Sequence, residues 1–259
     1  MIRLSVNESM VQGATLDERL ERCRGFGYRR VEVVAFMANP DCDLRQHGAA
    51  RIARACAAAG VEPIALYPTP LSPWPGSRED HLAYGVLAVE VALELGVANL
   101  VFPPLPTRDA WTPQRMADDL GVLLDAIGGR PLRICLENHC GWPLSSPGDY
   151  RALFAVCADP RVAVAFDTGH FTAAAVDQVA AVDALGARIR HVHLKDHIGT
   201  HSVALGAGET PNRAVLDRLR DRGYDGYASI EVECEDKNVQ DAAVAAAVAY
   251  AVTELGCVA

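Results

Sequence analysis

Short runs rich in β-branched residues alternate with longer, alanine-rich amphipathic runs, and this rhythm limits the fold more than any single motif. The pattern predicts strands at 2–7, 30–36, 61–67, 97–102, 132–137, 161–167, 189–194 and 228–233. Between and after them it predicts helices at 15–25, 44–59, 77–95, 112–127, 149–157, 176–185, 211–222 and 236–255. Thr15-Leu-Asp-Glu18 fits a capping box, Thr112-Pro113 an N-cap followed by proline at the first helical position, and Gly60 a helix stop. Pro68-Thr-Pro-Leu-Ser-Pro-Trp-Pro-Gly76 reads as a loop after the third strand. Eight strand–helix units in sequence favour closure into a (β/α)8 TIM barrel occupying residues 1–259 as a single domain. An open doubly wound sheet is the alternative, but no Gly-x-Gly-x-x-Gly follows the first strand.

Composition narrows the function. Half of the 259 residues are hydrophobic, enough for one large core, and the net charge is −9. An acidic surface repels phosphate backbones, so nucleic acid is not the expected partner. No apolar run is long enough to span a membrane, and the first residues do not read as a secretory signal, so a cytoplasmic protein is expected. The eight cysteines form no Cys-x-x-Cys pair and read as buried free thiols in a reducing compartment.

The chemistry concentrates in Arg190-His-Val-His-Leu-Lys-Asp196. Side chains alternate along a strand, so His191, His193 and Lys195 face one way and Val192 and Leu194 the other. A buried face carrying imidazoles and an ammonium is costly unless it meets a metal, a substrate or counter-charges. Glu137, Asp167 and Glu231 end or nearly end three other strands, also opposite the large aliphatic residues. The four groups Glu137, Asp167, His193 and Glu231 are separated by 30, 26 and 38 residues, about one strand–helix unit each. Singly, each has a bland explanation: a solvated glutamate, an aspartate capping a turn, a satisfied core histidine. At the C-terminal ends of barrel strands they would share one mouth. Three carboxylates and one imidazole suit one divalent ion such as Mn²⁺, Co²⁺, Mg²⁺ or Zn²⁺.

The strings Leu-Glu-Asn (136–138), Asp-Thr-Gly-His (167–170), His-Val-His-Leu-Lys-Asp (191–196) and Ile-Glu (230–231) resemble the sugar phosphate isomerase/epimerase family. This is the xylose isomerase-like TIM-barrel superfamily, which also contains endonuclease IV. Gly27-Tyr-Arg-Arg-Val-Glu32 and Gly223-Tyr-Asp-Gly-Tyr227 extend the resemblance over nearly the whole chain. It implies that Glu137, Asp167, His193 and Glu231 bind one metal and that Glu137 and Glu231 are the catalytic acid–base pair. It also implies that His170 contacts substrate, while Lys195 on the His193 face could offer charge to a developing oxyanion, or simply pair with a barrel-mouth acid.

The expected activity is a metal-dependent isomerase or epimerase of a sugar, keto-sugar or related hydroxy-carbonyl compound, working by proton transfer through an enediolate. The alternatives are a lyase on the same scaffold, of the keto-cyclitol dehydratase or C-glycoside deglycosidase type, and a non-catalytic metal-binding barrel. An endonuclease fits poorly, since Leu66-Tyr67-Pro68 and Val101-Phe102-Pro103 lack the extra histidines of the three-zinc site. The resemblance makes a homodimer or homotetramer plausible. Trp74, Trp142 and Phe171 are expected in loops near the mouth, residues 197–210 as a candidate lid, and His47 and His81 at the surface.

Overall fold

The computed structural model describes residues 1–37, 39–69, 77–103 and 111–259. Trp74 and most of the proline-rich loop lie outside the described residues. In chain order the elements begin β1 (Arg3–Asn7), α1 (Leu16–Gly25), β2 (Arg30–Ala35), α2 (Ala49–Ala59), β3 (Glu62–Pro68), α3 (Arg78–Leu95) and β4 (Asn99–Phe102). They continue with α4 (Pro113–Ile127), β5 (Arg133–Glu137), α5 (Pro147–Val156), β6 (Val162–Asp167), α6 (Thr168–Ala173), α7 (Gln178–Leu185) and β7 (Ile189–Leu194). The last are β8 (Asp196–Ile198), β9 (His201–Val203), α8 (Asn212–Asp221), β10 (Tyr227–Ile230) and α9 (Gln240–Thr253).

Eight parallel strands close in the order β1-β10-β7-β6-β5-β4-β3-β2, as the strand–helix rhythm predicts. The two strand faces separate into two apolar clusters. Ile134, Leu136, Val162, Val164 and Phe166 pack outward in the larger cluster with residues of the surrounding helices. Val34, Tyr67, Val101, Cys135, Ala163 and Ala165 form a smaller one. The parity that puts Cys135 and Ala165 there sends Glu137 and Asp167 the same way, two residues farther along their strands.

Helix ends follow the local signals. Thr15, Ser77, Thr112 and Ser146 each accept a backbone N–H from the first turn of their helix. Gly60 closes α2 at φ +70° and Gly96 closes α3 at φ +72°, left-handed positions that favour glycine. Helix α2 starts at Ala49, five residues later than the apolar pattern suggests, because Asp43 holds the preceding turn. Its Oδ1 accepts the N–H of Arg45, and its carbonyl accepts those of Gln46 and His47.

Two expectations need correction. His81 is 1 % exposed and lies within α3, so it is not a surface residue. Phe171 is fully buried in α6, its ring edge-on to Phe166 with centroids 4.8 Å apart, so it belongs to the core. The candidate lid, residues 197–210, has secondary structure of its own. They contain the antiparallel pair β8–β9, and Asp196 accepts the backbone N–H groups of Gly206, Gly208 and Thr210. All eight cysteines are free thiols; seven are buried and Cys140 is half-buried.

Candidate metal centre and active site

The four ligands expected from the sequence meet at the C-terminal end of the barrel. One donor atom from each of Glu137, Asp167, His193 and Glu231 lies within 4.8 Å of the others, and all four residues are buried. Glu137 and Asp167 are the last residues of β5 and β6. Asp167 stands opposite His193 in the β6–β7 register. Glu231 lies one residue past β10, held by its N–H to the carbonyl of Leu194 at 3.0 Å.

Each group is fixed by a second contact. Asp167 Oδ1 caps α6 by accepting the N–H of His170 at 2.7 Å. The Asn138 side chain exchanges two hydrogen bonds with the Asp167 backbone, at 2.8 and 2.9 Å. Asn7 donates to Glu231 Oε1 at 3.1 Å. Tyr67 donates to Glu137 Oε2 at 2.7 Å. His193 Nδ1 then faces Glu137 Oε1 at 2.5 Å, Glu231 Oε2 at 3.3 Å and Asp167 Oδ2 at 3.9 Å.

Electrostatics shows how strongly these groups act on one another. Burial pushes the Asp167 carboxyl well above the usual aspartate range despite Lys195 nearby. Burial works against the His193 imidazolium, but Glu231, Glu32 and Glu137 outweigh it and raise its proton affinity far above the ordinary histidine value. Among the described residues, Asp167 Oδ2 is buried without a hydrogen-bond partner, with Lys195 Nζ 3.5 Å away as an ion pair. A buried aspartate driven towards its neutral form, an imidazole driven towards its charged form and an unsatisfied carboxyl oxygen are what a cation would relieve. Donor spacing and chemistry both fit a divalent ion.

Lys195 extends from the end of β7 over this cluster. Its Nζ lies 3.0 Å from Glu231 Oε2, 3.2 Å from Glu233 Oε2 and 3.5 Å from Asp167 Oδ2, so it pairs with acids at the barrel mouth. It also donates to His170 Nε2 at 3.1 Å. Burial, and next the Lys195 charge, hold the His170 ring well below the ordinary histidine pKa, so it is neutral and accepts. The His139 ring packs on His170 with centroids 3.6 Å apart, and Trp142 stacks on His139 at 4.3 Å. Imidazole and indole faces thus line one side of the mouth. His201 lies away from this group, paired with Glu235 at 2.9 Å.

Sequence reasoning gave no role to Glu32, Tyr67 or Asn7. Glu32 is fully buried and within hydrogen-bond distance of both His191 and His193. Its signal was present: an acid in mid-strand on the face shared with Val34. For Tyr67 and Asn7 the only signal is their place at the ends of β3 and β1.

The chain matches the family described as xylose isomerase-like TIM barrel over residues 20–251. It belongs to the xylose isomerase-like TIM-barrel family. Within that family, it is 31% identical over 182 residues to an inosose dehydratase of Serratia proteamaculans, covering 61% of this chain and 58% of that protein. It is 25% identical over 167 residues to a fructoselysine 3-epimerase of Shigella flexneri, covering 60% of this chain and 59% of that protein. The chain thus spans less than two thirds of the length of these curated relatives. Among solved structures, an IolI protein with a bound zinc atom superposes with a TM-score of 0.81 at 20% identity, covering 98% of both chains. A D-psicose 3-epimerase from Clostridium cellulolyticum H10, solved with D-tagatose, gives 0.78 at 15% identity, covering 99% of this chain and all of that one. At these identities the superpositions speak for the fold.

Proposed function

We propose that this barrel is a divalent-metal-dependent enzyme that moves a proton at a carbon beside a carbonyl, as an isomerase or epimerase of a sugar-like hydroxy-carbonyl compound. The observation that carries this reading is the placement of two buried glutamates, Glu137 and Glu231, on the same imidazole nitrogen, with fixed and different partners. An ion held by Glu137, Asp167, His193 and Glu231 would polarise the carbonyl and make the adjacent C–H more acidic. Glu137 ends β5 and Glu231 follows β10, so one would remove the carbon's proton and the other return one. Lys195 and His170 bind substrate oxygens, Lys195 as donor and His170 in its neutral form. His139 and Trp142 cover the substrate's apolar edge.

A lyase reading also has an observation in its favour. The Lys195 ammonium sits 3.0 Å from Glu231, so a carboxylate base and a proton donor for a departing hydroxyl lie side by side. The likeness to an inosose dehydratase points the same way. In that case the carbon proton passes to a glutamate, and the β-hydroxyl takes a proton from Lys195 and leaves as water. The test is to load the protein separately with Mn²⁺, Co²⁺, Mg²⁺ and Zn²⁺ and incubate it with ketoses and keto-cyclitols in deuterated water. Deuterium uptake at constant composition supports isomerisation or epimerisation, and loss of water supports the lyase. Glu137→Gln and Glu231→Gln should each lower uptake by about a hundredfold or more. Wild-type exchange in both variants would remove the acid–base assignment.

A further inference from the structure

Below the four-ligand cluster, towards the barrel floor, lies a second buried polar group that the proposed chemistry leaves unused. Glu32 of β2 reaches β7, although β1 and β10 separate the two strands in the wall. Its Oε2 lies 2.9 Å from His191 Nε2 and 3.0 Å from His193 Nε2. Ser229 Oγ is 3.2 Å from His191 Nε2 and 2.7 Å from Ser5 Oγ, which extends the network to β10 and β1. Glu32, His191, His193, Ser5 and Ser229 are all 0 % exposed. A wholly buried carboxylate is costly, and an apolar side chain there would serve a merely structural strand at least as well.

We propose that Glu32 is a positioning residue for the metal centre: it takes the Nε2–H of His193 and so presents the Nδ1 lone pair to Glu137, Asp167 and Glu231. The inference rests on the metal-dependent reading given above. A carboxylate only accepts hydrogen bonds, so the imidazole nitrogen facing it must carry hydrogen. Nδ1 also faces carboxylates, but these are the groups that would hold the ion, so a bound ion would take the place of the Nδ1 proton while Nε2 keeps its hydrogen on Glu32. A ligating histidine that gives its other N–H to a carboxylate is held in one tautomer and one ring orientation, and is a better donor. His191 supplies a second N–H to the same oxygen and keeps the Glu32 carboxylate from turning away. The paired histidines of His191-Val-His193 thereby acquire separate tasks, one as ligand and one as support.

The test uses the full chain, Glu32→Gln and, as a milder change, His191→Gln. Zinc affinity is read by competition with a chelator, zinc content by elemental analysis, and the His193 Nε2–H by NMR of zinc-loaded, ¹⁵N-histidine-labelled protein. The expected result is one ion per chain, with zinc binding about 10- to 100-fold weaker in Glu32→Gln. His191→Gln should weaken it less. In the wild type the His193 Nε2–H should be shifted downfield and slow to exchange, and Glu32→Gln should abolish both properties. A role in stability alone would lower the melting temperature of either variant and leave zinc affinity unmoved; that result overturns the proposal. Two ions per wild-type chain, the second lost in Glu32→Gln, also overturn it, because Glu32, His191 and His193 would then be a site themselves. If Glu32→Gln does not fold, His191→Gln and the wild-type resonance decide. Failure of the wild type to bind any divalent ion sinks the metal-dependent reading, whereas unaltered binding in the variants sinks this inference alone.

Discussion

The Tyr67 phenol donates to Glu137 Oε2 at 2.7 Å, joining the end of β3 to the end of β5 past the strand between them. Burial, and next the Glu137 charge, push the phenol's pKa well above its ordinary value, so it stays a donor across the working pH range. The other oxygen of the same carboxylate is left to His193. Tyr67 therefore sets the rotation of a proposed proton carrier.

A hydrogen bond to a charged group contributes about 1.5–3 kcal/mol, and each 1.4 kcal/mol is about tenfold in rate. Tyr67→Phe is expected to slow deuterium exchange at the substrate carbon about tenfold or more. Exchange rates of wild type and variant at saturating metal check this. A rate within about twofold of wild type would mean Glu137 keeps its orientation without the phenol.

Lys195 sets the proton affinity of Glu231. Burial favours the neutral acid, but Lys195 and then His193 outweigh it and hold Glu231 well below the usual glutamate range. A glutamate acting as base works above its pKa and fails as pH falls through it. In Lys195→Met one of the two opposing charges is gone, so the acid limb of the kcat/KM profile should move to higher pH. The same limb in wild type and variant would show that Glu231 does not carry it. Metal content should stay at one ion per chain, since Lys195 supplies no ligand.

Much of this site was legible because barrels translate sequence parity into direction. The alternation of Cys135 with Leu136, or Ala165 with Phe166, fixed which face met the helices, and the carboxylates at the strand ends inherited the other. Glu32 kept its meaning hidden for a geometric reason. It stands 159 residues from His191 and 161 from His193, and no local pattern reports which side chains meet across a barrel. His81 misled because a histidine among charged residues at a helix start looks solvated, whereas packing buries that face of α3. Phe171 misled because Asp-Thr-Gly-His reads as a turn, and the turn continues into α6 with Asp167 as its cap. A cap that is also a proposed ligand ties the site to the core, which brings the last prediction.

Gly169, in the first turn of α6, lets that helix sit directly against the chain after β7. A Cβ at this position would come 2.5 Å from Lys195 Cβ and 2.6 Å from His197 Cδ2, closer than packed carbons tolerate. Relief by rotation is restricted, because Thr168 holds the Lys195 backbone from the same helix: its Oγ1 accepts the Lys195 N–H at 3.0 Å and lies 2.9 Å from the Lys195 carbonyl. Gly169→Ala must therefore push α6 away from residues 195–197 as a unit. Overpacking of this kind costs about 1–3 kcal/mol. The displacement would carry His170 away from Lys195. The expected outcome is a lower denaturant midpoint, a raised KM, and metal affinity changed less than KM, because Asp167 and His193 lie on the strands. A variant with wild-type stability and KM would show that α6 has room to move, and that its close approach to residues 195–197 does not set the substrate-facing wall.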